Sequence, residues 1–400
     1  MGGLGGANLM PAWGVLVASL LLLGGIGESA AQLPPARTAF VSSLILISRT
    51  LPMAGPRPTS SSPMFFTAIA FADTRHGWLA GTDGLRATVD GGTHWDRQGP
   101  RGVPIVALDA LNVRVAWAVG VDRLLGTTDG GRYWRRLEEP RYPLRAVSFV
   151  SGTVGFGVSV NPKRILPELQ VYPDLALRGT PVSTVDGGRT WKIMRTLPSV
   201  NSLCFADPTA GWAAEGTRVW RTGNGGRTWR PAGTFSLRDP DGWTATTYCA
   251  GPAAVWVRFW GDGVAMEHVP YIVYHSLDGG KHWKADLEDA YTSNAYPPAR
   301  AGLGYSGPLA VVNPATAFIV SVCPVCELPG SKGFGMVWID GTHDGGGTWQ
   351  RSTVTWLTMG PIAITSVNPT RGWMSGELNG RRELAATADG GRTWTPCRVG

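Results

Sequence analysis

The chain has 400 residues, of which 43% are hydrophobic, 16% charged and 10% aromatic, a balance that supports a large core and excludes intrinsic disorder. Its 55 Gly, 30 Pro and 18 Trp disfavour helices, because Gly and Pro cost about 1 and 3 kcal/mol inside one, and point instead to short strands and tight turns. The net charge is +7, from 36 Lys and Arg against 29 Asp and Glu, and the basic residues are scattered, which speaks against a nucleic-acid surface.

Residues 1–31 read as a signal peptide. Ala12 to Ile26 is almost wholly apolar, and Ser29-Ala30-Ala31-Gln32 offers small residues for cleavage after Ala31. No Lys or Arg precedes the apolar run, so an uncleaved anchor stays open as the alternative. The expected location is outside the cytoplasm: periplasmic, lumenal or extracellular. Residues 32–63 form a Pro/Ser-rich linker. Within it Phe40 to Ile47 is too short to cross a bilayer of about 30 Å as a helix, and reads as a stray strand.

Residues 64–400 are organised by an internal repeat, Ser/Thr-x-Asp-x-Gly-x-x-Trp, which returns seven times. The copies are anchored by Asp90 and Trp95, Asp129 and Trp134, Asp186 and Trp191, Asn224 and Trp229, Asp278 and Trp283, Asp344 and Trp349, and Asp389 and Trp394. Asp-Gly-Gly supplies residues that accept positive φ at a hairpin, the Asp can bond backbone N–H groups of its own turn, and the Trp folds back as an apolar plug. Each copy brings one carboxylate where calcium takes about six to eight oxygens, so no metal and no cofactor is expected. A second motif precedes each copy: Gly77-Trp78, Ala116-Trp117, Gly155-Phe156, Gly211-Trp212, Val255-Trp256, Ala317-Phe318 and Gly372-Trp373. Together they predict strand A, a turn, strand B opening at the second motif, strand C ending at the box, and strand D after the box Trp. Seven such units make an all-β chain, a seven-bladed β-propeller of four-stranded antiparallel blades with Asp-box hairpins. Strand A would begin near Met64 and the last strand D end near Arg398, so the ring would close by side-chain packing unless Phe40 to Ile47 adds a strand.

The predicted A–B turns are short and share one face with the boxes. The opposite face takes every insertion: Asn161 to Pro181, Thr234 to Trp243, Gly261 to Pro270, Asp286 to Pro308 and Cys323 to Gly335. Loops gathered at one mouth of a rigid ring are the expected binding surface. Arg164, Arg178, Trp243, Trp260, Glu267 and Arg300 are the candidate partner-binding residues. The rival class is a glycoside hydrolase, for which Asp262 with Glu267 or Asp286 with Glu288 would supply the carboxylate pair, and Arg145, Arg258 and Arg300 a sialidase-like grip. No nucleophile elbow or phosphate loop is present, and the balance leans away from an enzyme. Of the five cysteines, Cys323 and Cys326 are expected to form a local disulfide, with free thiols next and redox or metal chemistry last. Cys204 and Cys249 fall at matching places in adjacent A strands and either pair or pack as small apolar groups.

The combined unit, Gly77-Trp78-Leu-Ala-Gly81-Thr-Asp-Gly84 running into Thr88-Val-Asp90-Gly-Gly-Thr-His-Trp95, resembles the photosystem II stability and assembly factor family; Asp boxes also recur in sialidases and sortilin-type receptors. The resemblance covers about residues 64 to 400. It implies a non-catalytic propeller that binds a protein partner, an integral membrane protein complex in the photosynthetic members, and touches the membrane only peripherally or through an uncleaved signal. A monomer is expected.

Overall fold

The structure is a computed structural model, and it describes residues 66–161, 178–237, 242–261, 270–289, 300–302, 305–327, 334–354, 359–378 and 381–399. Seven antiparallel sheets, each in sequential strand order, make seven blades. Strand A of the first is Phe66–Phe71 and strand D of the last is Thr395–Cys397. Phe40 to Ile47 and the expected signal peptide lie outside the described residues. Blade five departs from the four-strand pattern: Arg300–Gly302 adds a fifth strand, parallel to strand D (Lys284–Asp289), at the blade's outer edge. Strands A pack against one another in an unbroken ring, the seventh against the first. Strands D of blades one and two, Asp96–Gln98 and Arg135–Leu137, face solvent, whereas Ala285 to Glu288 in that of blade five is buried.

The seven box hairpins are built alike. In each, the hydroxyl of the first residue accepts the N–H of the second Gly, as at Thr88 from Gly92 (2.9 Å) and Thr387 from Gly391 (2.9 Å), and donates to the acid, or in blade four to the Asn224 amide oxygen, two residues on. That acid accepts the N–H four residues on, for example Asp90 from His94 and Asp344 from Thr348. The first Gly donates to a carbonyl of its own blade's A–B turn in all seven blades, from Gly91 to Arg75 through Gly390 to Thr370. Both glycines take positive φ, 77° and 93° at Gly91 and Gly92, which strains any residue with a Cβ. The A–B turn is itself shaped by an Asx or Ser side chain in six blades, Asp73, Asn112, Ser151, Asp207, Asn313 and Asn368. One face of the ring is thereby fixed. Thr387→Val is expected to cost about 2 kcal/mol, because it leaves the buried Gly391 N–H unpaired without changing shape; a urea denaturation midpoint measures it.

The box Trp folds back on its own hairpin, where Trp95 and Trp394 donate to the carbonyls of Gly92 and Gly391, and it also reaches the seam with the preceding blade. Trp134, Trp283 and Trp349 stand edge-on to Trp78, Trp212 and Trp256, the strand-B aromatics of the blades before them. Where strand A ends in Phe, that ring is interposed. Phe71, Phe149 and Phe205 stack on Trp373, Trp117 and Phe156 at centroid distances of 3.3–3.5 Å, with Trp95, Trp191 and Trp229 edge-on beyond them. The core is therefore a set of inter-blade seams, and each repeat is stable only against its neighbours.

A polar link recurs at one height of the inner ring. The penultimate or last residue of strand A in one blade bonds to the last residue of strand A in the next: the Asp109 carboxylate accepts the Phe149 N–H (2.5 Å), the Ser148 hydroxyl accepts the Phe205 N–H (3.2 Å), and Cys204 is bonded to Cys249. The two cysteines are not at matching register. Cys204 pairs with Trp212, the second residue of strand B, and Cys249 with Val255, the first, and it is this offset by one that turns their side chains towards each other.

Desolvation pushes the Asp109 carboxyl up to about 7, with the Phe149 N–H working against it. A folded-state value above the ordinary 3.8 means that the folded form holds the proton more tightly, so the contribution to stability is complete below about pH 4 and is lost as pH rises through 7. Asp109→Asn keeps an acceptor for Phe149 and should leave the protein more stable than the parent at pH 8, by roughly 2 kcal/mol after allowance for solvent near the channel, with no gain at pH 4. Urea midpoints at the two pH values test this.

Candidate binding face

Strands B and C are in register at the box end in every blade. Gly77 pairs with Thr88, Val255 with Ser276, Ala317 with Thr342 and Gly372 with Thr387. Any extra length must therefore emerge on the opposite face. Strand B is five residues long in blades one to four, but seven in blade five (Val255–Gly261), eleven in blade six (Ala317–Glu327) and seven in blade seven (Gly372–Leu378). At about 3.3 Å per residue, strand B of blade six stands roughly 20 Å taller than that of blade one. Blades five to seven form a wall on one side of the mouth, and blades one, two and four a low rim.

The insertion expected at Cys323 to Gly335 is largely strand: B of blade six runs to Glu327 and C begins at Phe334. The side chains of Cys323 and Cys326 lie outside the described residues, as do Arg164, Asp262 and Glu267. Arg178 is described, and its guanidinium pairs with Glu215 at the B–C turn of blade four, bridging two blades at the rim. Trp243 opens strand A of blade five and is 7% exposed, packed with Phe235, Phe259 and Ile272 in the seam with blade four. It is a core residue rather than a contact surface. Trp260, near the insertion end of strand B in blade five, is half-buried and packs against the seam with blade six. Arg300 lies in the added edge strand, on the perimeter rather than in a mouth loop.

This placement separates two of the three residue sets that a hydrolase would need together; the third, Asp262 with Glu267, lies outside the described residues. Arg145 is on the innermost strand of blade three, Arg258 on strand B of blade five and Arg300 on its fifth strand, about 19 Å outward from strand A at 4.8 Å per strand. The three do not converge. Asp286 and Glu288 are in strand D, not in a loop, and a bulge in the pairing with strand C leaves Asp286 without a register partner. Asp286 turns to blade six, 2.5 Å from His275 Nδ1 and 3.5 Å from Lys284 Nζ, with its acidity weakened by burial. Burial, and behind it the Glu288 charge, weaken the acidity of the Tyr274 phenol; Glu288 pairs with Ile272, on the side of the sheet towards blade four. Two carboxylates on opposite faces of a sheet cannot flank one glycosidic bond.

The box acids are also spent within their hairpins. The hydroxyl and then the N–H of Thr190 hold the Asp186 carboxyl at about 2, and the N–H and then the hydroxyl of Thr348 do the same for Asp344. Gln98 went unremarked in the sequence. Its amide oxygen accepts both Trp78 and Trp134 indole N–H groups at 3.3 Å, across the first two blades. The phenylalanines that end strand A carried a signal, since three of seven copies share them just before the turn.

No protein-family model matches the sequence, and no curated protein matches it. Among solved structures the chain is similar to "YCF48 bound to D1 peptide", at 16% identity and a TM-score of 0.52, covering 85% of this chain and 99% of that one. It is similar to YCF48 from Cyanidioschyzon merolae at 17% identity and 0.50, covering 83% and 95%, and to U3-55K at 8% and 0.50, covering 80% and 90%. The likeness is one of architecture, and through YCF48 the resemblance to photosystem II stability and assembly factors read from the repeats holds at the level of the fold.

Proposed function

We propose that this chain is an exported, non-catalytic propeller that holds a peptide segment of a protein partner on its insertion-bearing face and assists assembly of a membrane protein complex. The observation that carries the reading is the asymmetry of the ring: one face is locked by seven hairpins of one design, while strand length and long connections accumulate on the other. YCF48, a propeller of similar fold, has been solved with a D1 peptide bound. The Cys204–Cys249 bond suits an oxidising compartment and so supports export.

The test is affinity capture by the tagged chain from its native envelope, with two controls. Shortening the connection between Asp289 and Arg300 alters the mouth but spares both flanking strands. Tyr133→Ser alters the box face, where that ring is 65% exposed. The expected result is one membrane protein complex recovered by the parent and by Tyr133→Ser, and lost on shortening. Recovery that survives shortening and fails in Tyr133→Ser would reverse the assignment of faces. Hydrolysis of a chromogenic glycoside, abolished in Asp262→Asn, would overturn the non-catalytic reading.

A further inference from the structure

Six of the seven boxes carry Asp at the third position; blade four carries Asn224, followed by Gly225. We propose that Asn224 is a latent deamidation site, held unreactive by the closed hairpin of blade four and converted to the acid of the other six boxes when that hairpin opens.

The chemistry needs only water. The Gly225 backbone nitrogen, on losing its proton to solvent base, attacks Cγ of Asn224. The N–Cγ bond forms, the Cγ–Nδ2 bond breaks and the amide nitrogen leaves as ammonia after taking a proton from solvent. Water then opens the cyclic imide at either carbonyl, giving Asp or isoaspartate. Glycine next in the chain favours the attack, because no side chain shields the nitrogen.

The folded hairpin blocks that attack at both ends. The Gly225 N–H donates to the Thr209 carbonyl at 2.8 Å, which points the nitrogen into the A–B turn. The Asn224 Oδ1 accepts the Thr222 hydroxyl (3.0 Å) and the Thr228 N–H (2.9 Å), and Nδ2 donates to the Thr228 Oγ1 (2.8 Å), so every polar atom of the amide is tied away from Gly225. The acid product fits the same frame. At Asp186, Asp344 and Asp389 the equivalent Thr hydroxyl donates to the second carboxylate oxygen at 2.6–2.7 Å, and the Thr228 hydroxyl need only turn from accepting to donating. Isoaspartate adds a methylene to the backbone and cannot preserve the bond from Gly225 to Thr209. Opening of the hairpin would therefore leave a permanent chemical record.

The purified chain is incubated at mildly alkaline pH, native in one arm and in urea in the other, and the peptide Thr222 to Arg227 is followed by mass. Asn379-Gly380, the other Asn-Gly of the chain, serves as reference for the urea arm. Conversion of Asn224 is expected to be at least about ten-fold slower in the native arm, since it must await local opening. Equal rates in the two arms would overturn the guarding role of the hairpin. Conversion of Asn379 but not Asn224 in urea would overturn the site itself. Asn224→Asp should melt with the parent, and a marked loss of stability would refute the fit of the acid product.

Discussion

Trp373→Ala is expected to open the ring locally as well as to destabilise it, because it acts at the one seam that no connection spans among the described residues. Blades one to seven are joined in sequence, and each of six seams is spanned by the connection from strand D to the next strand A. The seventh, between blades seven and one, has no shared strand among the described residues and is held by side chains alone. Trp373 is fully buried there. Its ring stacks on Phe71 at 3.5 Å and 2°, its Nε1 donates to the Gly91 carbonyl at 2.9 Å, and the Arg371 guanidinium lies over it. Truncation removes a buried indole for about 3–5 kcal/mol and leaves the Gly91 carbonyl unpaired.

Trp117→Ala is the matched control. Trp117 stacks on Phe149 with the same geometry, 3.5 Å and 2°, and donates to Gly187, but at a seam the chain crosses. A covalent connection keeps two faces at high effective concentration after their contact is weakened, and the seventh seam has none among the described residues. Both variants should therefore lose similar stability by urea midpoint. Only Trp373→Ala should be cut by protease at the two terminal blades before global unfolding. Indistinguishable proteolysis patterns would show that closure places no special demand on that seam.

The fold was legible because its determinants are local and repeated. A Thr hydroxyl, an acid two residues on and two glycines close a hairpin within eight residues, and seven copies fix the blade count and the box end of strands B and C. What was not legible depends on one blade meeting the next. The second contact of the box Trp is such a feature: its own hairpin is its neighbour in sequence, but the aromatic ring of the preceding blade is its neighbour only in space. Trp243 reads from the sequence as a mouth residue because a loop precedes it, yet the pleat of strand A turns it into the seam. Asp286 and Glu288 look paired at a spacing of two, which on a regular strand shares a face; the bulge between them breaks that rule. The register offset of Cys204 and Cys249 is likewise set by the rotation of one blade to the next and not by spacing along the chain.

Reduction of the Cys204–Cys249 bond, or the double change Cys204→Ala with Cys249→Ala, is expected to cost roughly 4 kcal/mol, from the chain-entropy relation applied to the 45-residue separation of the pair. The geometry fits a bridge without backbone movement, with the Cα atoms 5.7 Å apart. Its position makes the effect local as well as global. Along the same height of the ring, blades two and three are joined by Asp109 to Phe149, and blades three and four by Ser148 to Phe205. Those hydrogen bonds contribute about 1 kcal/mol each, so the covalent link between blades four and five is the strongest of the three. Removing it leaves strands A of that seam to the bonds between Ser202 and Thr247, and exchange protection should fall most in strands A of blades four and five. The measurement is the urea midpoint of the parent with and without a thiol reductant, beside that of the double alanine variant. A reductant that lowers the parent's midpoint and leaves the variant's unchanged assigns the loss to this bond, while a parent insensitive to reductant would mean that the pair contributes only as packed sulfur.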